Sequence, residues 1–249
     1  MGRSSGSGGG GECEAEAEGG ATTSSLALRN RYWVLRHGKS IPNAKGLIVS
    51  SPENGILEEY RLAPEGVDQA RLAGRSFQKM LLENNIPLEN VRICYSPFSR
   101  TSHTAEVVAS VMNLPFVGPQ CKVIGDLRER YFGPFYELAS HDKYLEIWAL
   151  DEKDPFLPPE GGESVADVVT RLTEALVSME SDFEGCAVLI VSHGDPLQIL
   201  QTILKAAKQV KTGADEQDLA SRIQAIKVKS VLSRHRKFAL LTGELRSAE

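Results

Sequence analysis

The 249-residue sequence contains no apolar run that approaches the roughly 20 residues needed to cross a bilayer. Its few cysteines show no paired spacing, so reduced thiols are expected rather than disulfides; they are Cys13, Cys94, Cys121 and Cys186. Charge of one sign is also scarce, because the formal net charge is only -5 and much of it comes from glutamates between residues 12 and 18. In the rest of the chain the positive and negative charges nearly balance, so there is no excess of basic residues of the kind that binds nucleic acid. We therefore expect a protein that binds neither membranes nor nucleic acid.

The first 27 residues are dominated by Gly, Ser, Glu and Ala and hold too little apolar material for a core. Residues 1–27 are therefore predicted to be a disordered tail. Their acidic residues and the lack of an apolar segment are unlike a secretory or organelle-targeting peptide. We expect a cytoplasmic protein, with the nucleus as an alternative location. Residues 28–249 have a length that suits one α/β domain.

Two histidine–glycine pairs, each directly after an apolar run, are the most informative feature of this domain. Residues 32–35 lead into Arg36-His37-Gly38, and residues 187–191 lead into Ser192-His193-Gly194. Continuous Val/Ile/Leu runs are typical of buried strands in an α/β sheet, and ligands collect beyond the carboxyl ends of such strands. The glycine after each histidine is predicted to permit a sharp turn and the close approach of a ligand. The two histidines are therefore expected to face one crevice.

Strand and helix patterns alternate along the rest of the domain. Strands are predicted at 91–95 and, as the last one, at 238–241, with extended segments between 117 and 124. Helices are predicted along 67–81, from near Ser99, after a capping box formed by Ser164 and Asp167, and from Pro196 to about Lys208. The segment 38–64 is interpreted as loop, and 212–229 as polar and helix-compatible. This order predicts a three-layer α/β/α sandwich with a mostly parallel central sheet.

An aromatic-rich, irregular stretch from about residue 126 to 160 interrupts the alternation. Its length and composition predict a lid-like insertion that contributes to specificity. A short amphipathic piece is expected around residues 144–150. The aromatic side chains that make this stretch a candidate specificity region are Tyr131, Phe132, Phe135, Tyr136, Tyr144 and Trp148.

The residue types at the strand ends suit chemistry on a phosphoryl group. A guanidinium such as that of Arg36 offers a planar donor fork, and the imidazole of His37 can attack phosphorus. Arg100, in the first turn of a predicted helix, adds a second charge beside free backbone N–H groups. His193 adds a further donor. A metal site built from the two histidines is disfavoured, because neighbouring arginines repel cations and no other His or Cys has ligand spacing.

Six ordered stretches resemble the motifs of the histidine phosphatase, or phosphoglycerate mutase-like, superfamily. The resemblance covers about residues 31–205 and lies in R36-H-G-K-S-I-P-N43, L62-A-P-E-G66 with Gln69-Ala70, S96-P-F-S-R-T101 with Thr104-Ala105-Glu106, L127-R-E-R130 with Gly133, G161-G-E-S164 and V191-S-H-G194. Ala63 departs from the pattern, since a hydroxyl residue is usual there.

The resemblance implies a role for each matching residue. His37 would be the nucleophile, and Arg36, Arg100 and His193 would bind the phosphoryl oxygens. Glu129 would be the general acid and base, while Asn43, Ser40 and Gly194 would complete the phosphate-binding pocket. The scheme needs no metal and no cofactor. Glu137 and Glu163 are nearby alternatives to Glu129, and His103 and His141 are expected to be structural.

The Glu129 carboxyl is expected to be ionised in the empty site, because two arginines lie beside it. A bound phosphate dianion would offset them and raise the pKa of Glu129, which couples its protonation to substrate.

The resemblance implies a phosphomonoesterase acting on a small phosphorylated metabolite. Glycolytic mutases carry a Trp-Asn and then a Phe-x-Gly-Trp-x-Asp stretch after the first motif, whereas this chain has Ile41-Pro42-Asn43 and then residues 47–51. Residues 129–133, however, are similar to the mutase stretch E-R-H-Y-G, so mutase-type phosphoryl transfer stays an alternative. A phospho-ligand-binding protein with weak catalysis is the third. The sequence leaves the oligomeric state open.

Overall fold

Five strands and nine α-helices make up the part of the chain that the computed structural model describes, residues 1–2, 28–209 and 218–248. The strands are β1 (Arg31–Arg36), β2 (Val91–Tyr95), β3 (Cys121–Val123), β4 (Ala187–Ser192) and β5 (Leu245–Ser247). The helices are α1 (Ile41–Lys45), α2 (Pro52–Gly55), α3 (Pro64–Glu83), α4 (Ser99–Val111), α5 (Tyr144–Lys153), α6 (Val165–Asp182), α7 (Gly194–Gln209), α8 (Leu219–Ala225) and α9 (Lys229–Leu232). Almost all of the predicted tail lies outside the described residues.

The strands form one sheet in the order β3-β2-β4-β1-β5, in which β5 alone runs antiparallel to its neighbour. Successive side chains of β1 point to opposite faces, as pleated backbone requires. Trp33 and Leu35 pack in the cluster that includes residues of α3 and α4, whereas Tyr32 and Val34 pack with α6 and α7. The predicted three-layer sandwich with a mostly parallel sheet is therefore confirmed.

Local sequence signals account for the starts of the helices that frame the site. Ser164 caps α6 in a reciprocal capping box with Asp167, as predicted. A second capping box, between Ser40 and Asn43, opens α1 directly after the first histidine motif. Each box satisfies backbone N–H groups that the first helical turn leaves without partners.

Residues 126–160 hold helix α5 and short 3-10 turns at Gly125–Leu127 and His141–Lys143. A small separate core of Ile48, Phe132 and Ile147, with Tyr136 and Tyr144 against it, ties this stretch to the segment after α1. The amphipathic piece expected around 144–150 is α5, which extends to Lys153.

Three expectations about secondary structure need correction. The predicted loop 38–64 contains α1 and α2, which are five and four residues long and thus too short for helical periodicity to reveal. The predicted last strand at 238–241 is wrong: Phe238 ends a 3-10 turn, Leu240 is buried in the core, and the last strand is β5. Helix α7 begins at Gly194, two residues before the proline that was predicted to open it.

Within 212–229, helix α8 and the start of α9 agree with the helix-compatible pattern, while residues 210–217 lie outside the described part. Cys94, Cys121 and Cys186 are free thiols. Among the described helices, none combines the length and apolar character needed to span a membrane.

Candidate active site

The two histidine motifs lie side by side because β1 and β4 are parallel neighbours. Arg36 is the register partner of Ser192, and the backbone N–H of His37 donates to the Ser192 carbonyl at 3.0 Å. The imidazole rings of His37 and His193 lie edge to face with centroids 5.3 Å apart. The expectation that both histidines reach one site at the carboxyl ends of the strands agrees with this placement.

The two glycines that follow the histidines differ from each other: Gly38 packs against helix α3, whereas Gly194 lies beside a cavity. Neither Gly38 nor Gly194 has a positive φ, so neither marks a turn that only glycine can make. A Cβ on Gly38 would lie 2.2 Å from the Gly66 carbonyl oxygen, so this glycine permits a close approach to α3 rather than to a ligand. Gly194 has no such clash with the protein, and it lines the cavity described below.

His37 is held with one ring nitrogen available for attack. Its Nδ1 lies 2.8 Å from the Gly38 carbonyl oxygen and is therefore the protonated nitrogen. Its Nε2 accepts a hydrogen bond from Arg100 Nε at 3.2 Å, which requires a lone pair there. Burial, reinforced by Arg100 and Arg36, holds the pKa of His37 well below its ordinary value. The imidazole is thus neutral and nucleophilic at physiological pH.

His193 is fully buried, and its partners assign it the same tautomer as His37. Its Nε2 lies 2.8 Å from Ser96 Oγ, which already accepts the backbone N–H of Phe98. Since the Ser96 hydroxyl has no other acceptor among the described contacts, its proton is assigned to a hydrogen bond to Nε2, which places the proton of His193 on Nδ1. That Nδ1 is buried and has no hydrogen-bond partner. Burial and the nearby Arg100 hold the pKa of His193 well below its ordinary value, so the ring is a neutral donor.

The two arginines present further donors without partners. Arg36 donates from Nη1 to the Leu240 carbonyl at 2.6 Å, and Arg100 donates from Nη2 to the Val49 carbonyl at 2.9 Å. Arg36 Nε and Arg100 Nη1 are buried with no hydrogen-bond partner. Buried donors without partners are costly, at about 1–3 kcal/mol each, and more when charged. Together with His193 Nδ1 they form a set of three buried donors that an oxyanion would satisfy.

Glu129 is nine-tenths buried at the edge of this donor set. Its Oε2 lies 3.7 Å from Arg100 Nη2 and 3.8 Å from His193 Nδ1, and its Oε1 accepts the Arg130 backbone N–H at 3.0 Å. Burial raises the pKa of the Glu129 carboxyl to about 7, with Asp195 adding to the rise and Arg100 opposing it. The expectation that the empty site keeps Glu129 ionised is therefore wrong: burial outweighs the arginines and raises the pKa of Glu129 into the neutral range.

A cavity of about 300 Å³ lies beside this donor set. Arg36 is the member of the set that lines it, whereas the predicted site residues His37, Arg100 and His193 lie outside its lining. Its lining includes the predicted residues Arg36, Asn43, Glu129 and Gly194. Ser40, also predicted to face the pocket, does not line it. Its hydroxyl instead donates to Asn43 Oδ1 at 2.8 Å and caps α1, so Ser40 holds Asn43 in place.

The two alternative carboxylates, Glu137 and Glu163, form hydrogen bonds and ion pairs away from the cavity. Glu137 accepts hydrogen bonds from the backbone of Ser50 and Ser51 and from the Asn54 amide. Glu163 forms ion pairs with Arg171 and Arg128. Neither lines the cavity, so their positions favour Glu129 as the acid.

Several residues that line the cavity either were not predicted from the sequence or were predicted to be structural. His141 was expected to be structural, yet it lines the cavity while its Nε2 lies 2.9 Å from the Leu47 carbonyl oxygen. Asp195 and Gln198 belong to no motif, but a helix that begins at Gly194 places both at its first turn. Tyr144 and Trp148, from the predicted specificity insertion, complete the wall.

Behind Glu129 lies a buried charge cluster formed by Arg130, Asp151, Asp195 and His235. The Arg130 guanidinium donates to both oxygens of Asp151 at 2.7 and 2.8 Å and to Asp195 at 3.1 Å. Its Nε donates to the Glu163 carbonyl at 2.8 Å. His235 Nε2 lies 3.6 Å from Asp195. The carboxylates and the imidazole resemble a cation's donor set, but the Arg130 guanidinium already binds both carboxylates.

Known proteins support the family suggested by the motifs. The chain matches the family model for the histidine phosphatase superfamily (branch 1) over residues 32–224. It is 25% identical over 202 residues to a 2,3-bisphosphoglycerate-dependent phosphoglycerate mutase of Bradyrhizobium sp., covering 78% of this chain and 88% of the relative. It is 27% identical over 179 residues to the adenosylcobalamin/alpha-ribazole phosphatase of Salmonella typhimurium, covering 68% and 77%.

Solved structures share the fold of this chain. Bacillus stearothermophilus YhfR has a TM-score of 0.55 at 25% identity, over 71% of this chain and 80% of that one. A mycobacterial glucosyl-3-phosphoglycerate phosphatase in complex with VO3 has a TM-score of 0.54 at 24% identity, over 80% and 85%. With the model match spanning most of the domain, this chain belongs to the histidine phosphatase superfamily.

Proposed function

We propose that the protein is a metal-independent phosphomonoesterase that hydrolyses a small phosphorylated metabolite through a phosphohistidine on His37. The observation that carries the proposal is the neutral His37 Nε2 beside three buried donors without partners, Arg36 Nε, Arg100 Nη1 and His193 Nδ1. A transferring phosphoryl group spreads its charge over three equatorial oxygens, which matches such a set. Preorganised donors of this kind stabilise the transition state without reorganising during the reaction.

In the first step, His37 Nε2 attacks phosphorus and the bond from phosphorus to the ester oxygen breaks. Arg100 Nε, which donates to Nε2 in the empty site, is placed to transfer its hydrogen bond to a phosphoryl oxygen. Protonated Glu129 gives its proton to the departing alcohol oxygen. Because the pKa of Glu129 is about 7, the acid form is already populated before substrate binds.

In the second step, the ionised Glu129 removes a proton from water, and the water oxygen attacks phosphorus. The bond to His37 Nε2 breaks, inorganic phosphate leaves, and Glu129 is again protonated. Acid and base roles must exchange in this way between the two halves of a double displacement.

The test is hydrolysis of phenyl phosphate in the presence of EDTA, with wild type, His37→Ala and the control His103→Ala. His103 lies on α4, outside the cavity lining. We expect loss of at least about 10⁴-fold in kcat for His37→Ala, since removing a covalent nucleophile costs this much or more. His103→Ala should stay within about threefold of wild type.

An acid-labile phosphoryl label on wild type but not on His37→Ala would identify the intermediate. Equal rates for wild type and His37→Ala, or no hydrolysis of any phosphate ester, would refute the proposal. A label that moves to phosphoglycerate faster than to water would instead identify a mutase, the activity named for several relatives of similar identity.

A further inference from the structure

Three neutral side chains that line the cavity carry polar groups without hydrogen-bond partners among the described residues. They are the Asn43 amide NH₂, the Tyr144 hydroxyl and the Gln198 amide, whose oxygen is buried and unpartnered. Asn43 uses only its Oδ1, which accepts from Ser40. These groups lie outside the buried donor set that receives the phosphoryl oxygens. They are therefore available to the alcohol part of a substrate.

Aromatic packing fixes the position of the Tyr144 hydroxyl. The Tyr144 ring stacks on Trp148 with centroids 5.6 Å apart and meets the edge of Phe132 at 5.6 Å. The far side of the stack is strengthened by Arg236, whose guanidinium carbon lies 3.3 Å from the centre of the Trp148 ring. A side chain held by several ring contacts presents its polar tip at little entropic cost.

The charges on the cavity wall disfavour a second anionic group on the alcohol. Arg36 supplies the positive charge there and is used by the phosphoryl group, whereas Glu129 and Asp195 contribute carboxylates. Neutral hydroxyls can instead donate to amide and carboxylate oxygens and accept from Asn43 and Tyr144.

The size of the cavity limits the alcohol. At about 300 Å³ it lies at the lower end of the range of about 300–1,000 Å³ found for small-molecule pockets. A polypeptide segment does not fit into such a space, but a short polyol or a single sugar ring does.

We propose that Asn43, Tyr144 and Gln198 form an alcohol subsite for a neutral polyhydroxylated leaving group. The substrate class is then the phosphate monoester of a small polyol or sugar. The subsite rests on the proposed function, because it orients the ester oxygen toward Glu129. It also assigns a binding role to helix α5 and to Gln198, which no sequence motif identified.

The experiment compares sn-glycerol 3-phosphate with n-propyl phosphate, which has the same carbon chain but no hydroxyls. Wild type should show a kcat/KM about 10- to 100-fold higher for the glycerol ester. Gln198→Leu and Tyr144→Phe should each lower kcat/KM for glycerol 3-phosphate about 5- to 10-fold, the effect of one lost hydrogen bond. For n-propyl phosphate, the kcat/KM of both variants should stay within about twofold of wild type. Gln78→Leu on α3 and Tyr60→Phe are the matched controls, because neither residue lines the cavity, and they should leave kcat/KM unchanged for both esters.

If the alkyl esters turn over too slowly, the same ranking should appear in their competitive inhibition of phenyl phosphate hydrolysis. Equal kcat/KM or inhibition for the two esters would overturn the subsite, as would variants that weaken both equally. A higher kcat/KM for 3-phosphoglycerate or for a phosphoserine peptide than for glycerol 3-phosphate would also overturn the subsite. The substrate class would then be an anionic metabolite or a polypeptide. Failure of the proposed function is distinguishable, because it removes phenyl phosphate hydrolysis and the His37 label, whereas failure of the subsite leaves both intact.

Discussion

Two groups of charged side chains are neighbours in the folded structure, and they differ in how fully their hydrogen bonds are satisfied. Around His37, the donors Arg36 Nε, Arg100 Nη1 and His193 Nδ1 have no partners. Around Arg130, the guanidinium binds Asp151, Asp195 and a backbone carbonyl with every nitrogen engaged. The members of both groups are buried, apart from Arg36, which is partly exposed although its Nε is buried. In the second group His235 Nε2 also lacks a hydrogen-bond partner, at 3.6 Å from Asp195. Burial therefore does not distinguish the two groups; the unpaired guanidinium nitrogens of Arg36 and Arg100 do.

The difference has an energetic meaning. An unpaired buried donor costs stability until a ligand supplies the acceptor, so the phosphoryl-binding group stores binding energy for substrate. A saturated ion pair gains nothing from a ligand, and removing one partner leaves an uncompensated buried charge. Substitutions in the first group should reduce activity, and substitutions in the second should reduce stability.

Among the substitutions that test this comparison, Arg100→Gln has the largest expected effect. We expect kcat/KM for phenyl phosphate to fall about 10³-fold, because removing one preorganised oxyanion donor costs about 10²–10³ and Arg100 supplies more than one. The midpoint of thermal unfolding should stay within a few degrees of wild type, as measured by circular dichroism. A loss below tenfold, or a collapse in stability, would remove the distinction drawn between the two groups.

Arg130→Gln should show the reverse pattern. The free energy of unfolding in urea should fall by about 3–5 kcal/mol, since Asp151 and Asp195 lose their partner. Lys122→Gln, which breaks the exposed ion pair with Asp182, is the control and should cost under about 1 kcal/mol. If Arg130→Gln is as mild as the control, the cluster is not a structural ion pair.

Glu129→Gln tests the raised pKa of Glu129, whose carboxyl lies near both groups. Wild-type kcat/KM for an alkyl phosphate should decline as pH rises through about 7, because the proton that the leaving group needs is lost there. The variant should be about 10²-fold slower at pH 6, with no such decline. Ionisation of the ester itself affects both proteins alike, so the difference between the two profiles isolates Glu129. A variant that stays active, with wild-type kcat also unchanged from acidic to neutral pH, would refute the assignment.

His235→Gln should have the smallest effect, and one that depends on pH. Burial alone would lower the pKa of His235, but the neighbouring Asp195 and Asp151 raise it above its ordinary value. A raised folded-state pKa contributes stability that is fully present below the unfolded value and disappears as pH rises through the folded value. Wild type should therefore be more stable than the variant by about 1 kcal/mol at pH 6 and by much less at pH 9, as measured by urea unfolding. A difference that grows with pH would contradict this sign.

The phosphoryl-binding residues were predictable because they are tied to local sequence patterns. The runs before His37 and His193 identify two strands, and parallel pairing brings their ends together. The start of α4 at Ser99 likewise places Arg100 in a first turn. The signals are short-range, and the geometry between them follows from general rules of α/β sheets.

The charge cluster and the alcohol subsite could not be predicted, because their members are far apart in the sequence. Asp151 and His235 meet only after the insertion and the last helices have packed. His235 lies beyond the residues 32–224 that match the family model. The prediction that Glu129 is ionised in the empty site failed for a related reason. The sequence indicated which charges lie near Glu129 but not how deeply its carboxyl is buried. Strand β5 was missed because its residues, Leu-Arg-Ser, carry no apolar run.

The reaction centre depends on residues that are synthesised after every other element of the sheet. Strand β5 pairs with β1, and the Gly243 N–H donates to the carbonyls of both Arg36 and His37. The Leu240 carbonyl holds the Arg36 guanidinium. A chain still under translation can therefore fold most of its helices while its nucleophile stays unsupported. Loss of residues 239–248 would therefore remove the backbone contacts that hold Arg36 and His37 at the end of β1.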